Sequence, residues 1–275
     1  MEQSTPGTSG IEHMPRGGYN ASWLNRHLQT DVLEYTDRYD VPDELKQRVI
    51  DSLDHLGSVR GLHEKNAHMA LSLVSGIDAP RILELGAGHG RLSEQIVQMH
   101  PSAQVTVSDL DPTSVHNIAG GVLGANTRVR TKVIDASAIS EPDDSYDLVV
   151  FASSFHHLPP KVASRAIAEA TRVGRKFLVI DIKRPSAIPL ALISAGALLI
   201  GALTSPRSKA RAFIHDGRIS WLRSYNRAAF TSLGTAADPA MVAEFLSPSD
   251  RLPHNIAVAY SRPTFAVHES ESRRS

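Results

Sequence analysis

Apolar residues recur every three or four positions between Tyr19 and about Gly76: Trp23, Leu24 and Leu28, then Leu45, Val49, Leu53 and Leu56, then Met69, Leu71, Leu73 and Val74. That period puts them on one face of a helix and predicts two to four helices. At Arg81 the rhythm changes. Residues 81–85 form a short apolar run, residues 104–108 alternate, and 128–134, 146–151 and 176–180 repeat the strand pattern. Helical spacing returns at 91–100, after Pro112 and over 159–173; Pro112 suits a first helical position, with Asp111 before it as cap. Residues 240–246 and 255–261 read as two late strands joined by a Pro/Ser turn. Strands alternating with helices predict an α/β fold with a parallel sheet covered on both faces.

The chain has 275 residues, 41% hydrophobic and 21% charged, which is enough for one large folded domain with elaborations. Residues 1–18 are rich in Gly, Ser, Thr and Pro and read as a loose arm, and 263–275 as a flexible tail. Residues 19–78 read as a helical cap and 79–262 as the core, with an insertion over 184–228 as a lid. The segment before residue 80 is acidic, with twelve Asp/Glu against seven Lys/Arg. The start carries no apolar signal core, so a cytoplasmic location is expected. The absence of cysteine excludes disulfides, Cys-ligated metals and a thiol nucleophile. Lys+Arg and Asp+Glu balance at 29 each, so no overall positive field favours nucleic acid.

The sharpest chemical signal is Glu84-Leu-Gly86-Ala87-Gly88-His-Gly90, after a strand and before a helix. Glycines there allow a tight turn and let a ligand approach backbone N–H groups at a helix N-terminus. The spacing is G-x-G-x-G, and Arg91 stands where a dinucleotide-binding fingerprint has its third glycine. Glu84, Asp109 and Asp135 close three successive strands. In an open parallel sheet such ends face the ligand crevice. An acidic crevice repels pyrophosphate and suits a ligand with a ribose, an amine and a positive charge.

Residues 82–91, 105–112, 134–136 and 145–159 resemble, in order, four motifs of the class I S-adenosylmethionine-dependent methyltransferases of small-molecule type. The resemblance spans roughly residues 65–261. It implies a Rossmann-like seven-stranded sheet whose last strand is antiparallel, and S-adenosylmethionine as cofactor. It also implies that Gly86, Ala87, Gly88 and Gly90 lie along the methionine part. Asp109, followed by Leu110, would hold the ribose, Asp135 with Ala136 would read the adenine, and Phe151 and Ser153 would line the reaction site. The expected reaction is methyl transfer to a small, apolar or aromatic acceptor, with oxygen favoured over carbon or nitrogen. A nucleic-acid methyltransferase would carry an Asn/Asp-Pro-Pro-aromatic motif where this chain reads Ala152-Ser-Ser-Phe155. A non-catalytic cofactor-binding subunit is the other alternative.

A hydroxyl acceptor needs a base, and His156, His157 and His215 are the candidates. Adjacent side chains are expected to diverge, so at most one of His156 and His157 points inward. No metal site is expected there, for the same reason and for want of a completing carboxylate cluster. Asp216 follows His215 and could orient it; Arg223 and Tyr225 could meet an anionic or phenolic acceptor. Residues 185–206 carry no charge. They read as a buried helix lining the acceptor pocket, with Leu192, Leu198, Leu199 and Ile200 as its wall. Lys183 and Arg184 before it, and Arg207, Lys209 and Arg211 after it, also allow peripheral contact with an anionic membrane surface.

Overall fold

The computed structural model describes residues 8–38, 40–205, 209–246 and 255–263. Residues 1–7, Tyr39, Pro206, Arg207 and Ser208, residues 247–254, where a Pro/Ser turn is expected, and those beyond 263 lie outside the described residues, as do the side chains of Thr8, Ser9 and Lys209.

The helices begin with α1 (Trp23–His27), α2 (Asp43–Val59) and α3 (Leu62–Ser72). The alternating part runs β1 (Arg81–Leu85), α4 (Arg91–Met99), β2 (Gln104–Asp109), α5 (Pro112–Gly120), β3 (Val129–Val133), β4 (Leu148–Ala152), α6 (Pro160–Val173) and β5 (Phe177–Ile182). Then follow α7 (Ala187–Leu203), α8 (Lys209–Arg223), α9 (Arg227–Ala237), β6 (Val242–Leu246) and β7 (Asn255–Ser261). Local chemistry sets several starts. Asp111 accepts from Thr113 N at 3.0 Å ahead of Pro112, and Asn226 accepts from Ala229 N at 2.9 Å to cap α9.

The seven strands lie in the order β3-β2-β1-β4-β5-β7-β6. Neighbours from β3 to β5 are parallel, and β7 runs antiparallel to both β5 and β6. This is the Rossmann-like α/β sheet expected from the motifs. Both faces are covered. Leu83, Leu85, Val149, Phe151, Phe177 and Val179 pack towards α6 and α9; Ile82, Val105, Val107, Leu148, Val150 and Leu178 pack towards α3 and α4. Burial on both faces is why these strands read as continuous apolar runs rather than alternating ones. The chain order reverses between β1 and β4, which opens a crevice at their carboxyl ends.

Three readings need correction. Residues 8–18 are not loose: Ile11 and Met14 are buried, and Arg16 is buried with its guanidinium on the carbonyls of His156 (2.7 Å) and Arg223 (2.5 Å). Apolar burial and two satisfied carbonyls hold this stretch against the sheet's carboxyl edge. Next, α3 is a layer of the sandwich rather than a cap, because Ala67 and Ala70 bring it close against α4.

The third concerns α7, which packs on α8 and α1 through Leu190 and Ser194 and otherwise faces outward. Ile188, Leu192, Leu198, Leu199, Ile200 and Leu203 are 55–81% exposed, so they do not form a pocket wall. Arg184 is also not a free basic flank. It is buried, and its guanidinium bonds Asn25 Oδ1 and the carbonyls of Asn25, Leu28 and Leu222. Among the described residues no helix is long and apolar enough to cross a membrane.

This arrangement separates two leucines of one helix. Leu190→Ala opens a cavity in a packed site and should cost about 2–5 kcal/mol in urea unfolding. Leu199→Ala should change stability by no more than about 0.5 kcal/mol. Equal costs would return α7 to the interior.

Candidate active site

The crevice is built from the carboxyl ends of β1, β2 and β4. The turn after β1 is held by Ala87 N donating to Ser108 O at 2.9 Å and Gly88 N donating to Asp109 Oδ2 at 2.8 Å. Gly86 has φ +60°, and a Cβ there would lie 2.6 Å from both the Phe151 ring and Ser154 Oγ, so only glycine fits. Gly88 has φ +57°, and a Cβ there would meet only Ile50, at 3.4 Å, so its backbone is open on that side.

Asp109 lies at the crevice with its Oδ2 on Gly88 N and its Oδ1 accepting from Asp111 N at 2.9 Å. Burial pushes its carboxyl up, against those two bonds. Leu110 beside it is exposed. Asp135 is exposed, and its Oδ1 accepts from Ser137 N and Ser137 Oγ, each at 2.8 Å; Ala136 is partly buried. Phe151 is buried edge-on to Phe155, and Ser153 is exposed with φ +62°, an uncommon conformation for a residue with a Cβ. Glu84 departs from expectation. Its carboxylate turns away from the crevice into the first turn of α4, where Ser93 N (3.1 Å) and Ser93 Oγ both donate to Oε2. Burial raises its pKa to about 7, with the Ser93 bonds pulling the other way.

The cap closes over this loop. His89 joins α2 through Asp54 Oδ2 (2.9 Å) and Gln47 Oε1 (2.8 Å). Neither acid nor amide stood out in the sequence, because their partner is a loop residue 35 or more positions away.

His156 and His157 lie in the 3-10 turn Phe155–His157 after β4. Their rings do not diverge: the centroids are 4.4 Å apart. Carboxylates are also present. Asp181, at the end of β5, lies 2.8 Å from His156 Nδ1, and Asp37 lies 2.7 Å from His157 Nδ1. Glu34 sits 3.3 Å from His156 Nε2 and 3.7 Å from His157 Nε2. Both premises against a metal site at this dihistidine are therefore overturned. Burial opposes charge on His156, but Asp181 and then Glu34 outweigh it and hold its pKa well up. Burial likewise opposes charge on Glu34 and Asp37, and the histidines outweigh it and hold both carboxyls low. His156 is 2% exposed, which keeps it from meeting an acceptor. Asp181 was a legible strand-end acid that the motif reading passed over; Glu34 and Asp37 were hidden in the acidic cap.

His215 stands apart on α8. Its Nδ1 is 2.9 Å from Asp216 Oδ1, and buried Asp216 is fixed by Tyr35 N at 3.1 Å. Arg223 and Tyr225 are both buried in internal bonds. Arg223 Nη1 meets Asp37 Oδ2 at 2.7 Å, and Tyr225 Oη donates to Leu158 O at 2.7 Å. Neither is presented to an acceptor.

Residues 82–176 match the methyltransferase domain family. Over 108 residues the chain is 35% identical to a malonyl-[acyl-carrier protein] O-methyltransferase of Geobacter sulfurreducens, covering 38% of each chain. It spans 38% and 30% of the length of the first two curated relatives it matches. The structure of the plantazolicin methyltransferase BpumL in complex with SAH aligns with 93% of this chain and 98% of that one, at a TM-score of 0.58 and 14% identity. That of BamL, with SAH and a triazolic desmethylPZN analog, aligns with 87% and 98% at 0.59 and 11%. At such identities the likeness is one of fold.

Glu84 gives this site a pH signature. Its pKa rises from the ordinary 4.5 to about 7 on folding, so the native state binds a proton the unfolded chain has lost. Its contribution to stability is present at acid pH and is lost as pH rises between those two values. Glu84→Gln keeps an acceptor for Ser93 and has no such titration. Chemical unfolding across that window should show the variant gaining on the wild type as pH rises. A constant difference would rule out a protonated Glu84.

Proposed function

We infer that this chain, whose residues 82–176 match the methyltransferase domain family, is a class I S-adenosylmethionine-dependent methyltransferase that binds that cofactor at the β1–β4 switch point and transfers its methyl group to a small acceptor. One observation carries the reading: Asp109 is held beside the open backbone of Gly88 at the N-terminus of α4. The residues suit the group. Each Asp109 oxygen makes one backbone bond and keeps a lone pair for a ribose hydroxyl. Gly86, Ala87, Gly88 and Gly90 take the methionine part, Asp109 with Leu110 the ribose, Asp135 and Ala136 the adenine, and Phe151 and Ser153 the reaction side.

Bound there, the cofactor supplies a sulfonium methyl for in-line displacement. The chain's own residues align the acceptor and exclude water. The α2 contact through His89 covers the loop. The acceptor is small and apolar or aromatic, with oxygen favoured; the O-methyltransferase relative supports that preference. Where a hydroxyl must lose its proton, His215 is the base, since it is the partly exposed histidine of the three with a fixed carboxylate behind it at hydrogen-bond distance and no second carboxylate on its other nitrogen. The exposed face of α7, with exposed Trp23 on the neighbouring α1, supports peripheral contact with an anionic lipid surface.

Calorimetry should show the cofactor or its demethylated product binding far more tightly than NAD. Asp109→Ala removes two charge-assisted bonds of about 1.5–3 kcal/mol each, so affinity should fall at least about tenfold. Unchanged affinity would sink the ribose role. His215→Ala should lower labelled-methyl turnover onto phenols by about 10²–10⁴ with cofactor affinity intact; full turnover would remove His215 as base. For α7, the protein should pellet with vesicles containing anionic lipid, less so as salt rises. Absence from the pellet at low salt would exclude the lipid contact.

A further inference from the structure

Two adjacent histidines and three carboxylates from three parts of the chain meet between the cap and the sheet. An ionised carboxylate can only accept a hydrogen bond, so Asp181 and Asp37 fix the proton of each ring on Nδ1. A metal ion that displaces the proton from Nε2 therefore meets a lone pair on each ring, and both Nε2 atoms face Glu34, at 3.3 and 3.7 Å. One ligand atom from each of Glu34, His156 and His157 lies within 4.8 Å of the other two. Ligand atoms about 2.0–2.1 Å from a tetrahedral zinc ion lie about 3.4 Å apart, so the gap has the right size.

Two further observations point to an occupant. His156 Nε2 is buried, aimed into the gap, and has no hydrogen-bond partner. Buried polar atoms are rarely left so. The carboxylates behind the rings also form the outer arrangement that orients metal-binding histidines. Asp181 is itself locked by His156 N and Ile182 N, each at 2.7 Å, and Asp37 by Arg223. Ser220 Oγ donates to Glu34 Oε1 at 3.0 Å, which orients the third ligand.

We propose that Glu34, His156 and His157 bind a divalent transition-metal ion of the zinc class through one carboxylate oxygen and two Nε2 atoms. Three protein ligands leave a coordination position open, and it lies on the side of His157, whose side chain is 20% exposed while those of His156 and Glu34 are 3% and 4%. That position takes an oxygen- or nitrogen-donor ligand. The site is separate from the glycine loop, and its occupancy does not depend on methyl transfer.

The full-length protein, stripped with chelator and dialysed, is titrated with zinc by calorimetry and with cobalt(II) by visible absorption. The expected result is one ion per chain and the d–d bands of a low-symmetry cobalt site. Asp37→Asn should weaken zinc binding by about 10–100-fold by releasing the His157 ring. His157→Ala should weaken it further, and His68→Ala, an exposed histidine on α3, should leave it unchanged. Absence of stoichiometric binding by the wild type would overturn the proposal in favour of a proton shared between His156 and its carboxylates. Undiminished binding in His157→Ala would place the ion elsewhere. The wild-type titrations decide the matter even where a variant fails to fold.

Discussion

β1 pairs in parallel with β2 on one side and β4 on the other, with Glu84 level with Val107 and with Val150. Because all three strands point the same way, their carboxyl ends and the loops after them arrive at one edge. The glycine turn, Asp109 and the Phe151–His157 stretch are neighbours for that reason alone. The pairing is held by burial on both faces: Ile82, Leu83, Leu148 and Val150 show no exposure. Such a sheet can be ligand-binding only at an edge, and the reversal of strand order between β1 and β4 opens that edge at the centre.

What sits above the edge is held by polar chemistry rather than by area. Arg16 and Arg184 are buried guanidiniums that terminate on backbone carbonyls from distant segments. Arg's fixed fork suits this, since several carbonyls are satisfied by one planar group. The N-terminal stretch, α1 and the end of α8 are thereby tied to the turn that carries His156. Glu34 and Asp37 enter the same region from the cap and are balanced by His156, His157 and Arg223. A buried cluster of this kind tolerates little, because removing one partner leaves an uncompensated charge.

The insertion after β5 divides its two helices between two tasks. α8 faces inward, presenting Asp216, Ser220 and Arg223 to the cap. α7 buries Leu190 and Ser194, partly covers Ile193, and leaves Ile188, Leu192, Leu198, Leu199, Ile200 and Leu203 outside. A helix that is apolar all round gives no periodic clue to which side is covered. That is why residues 185–206 read as a pocket wall.

The sequence by itself determined the strands from β1 to β5, the glycine turn, the acids at strand ends and the Asp111 cap. Each is a local matter: period, backbone freedom at glycine, and side chains that bond within a few residues. Only the tertiary structure decided which way Glu84 turns, that Arg16 and Arg184 are buried, that α7 is exposed, and that Glu34, Asp37 and Asp181 converge on His156 and His157. Those outcomes depend on partners 9 to 207 positions apart. Pairing across such distances is set by how layers pack, and packing leaves no trace in a local pattern of polar and apolar residues.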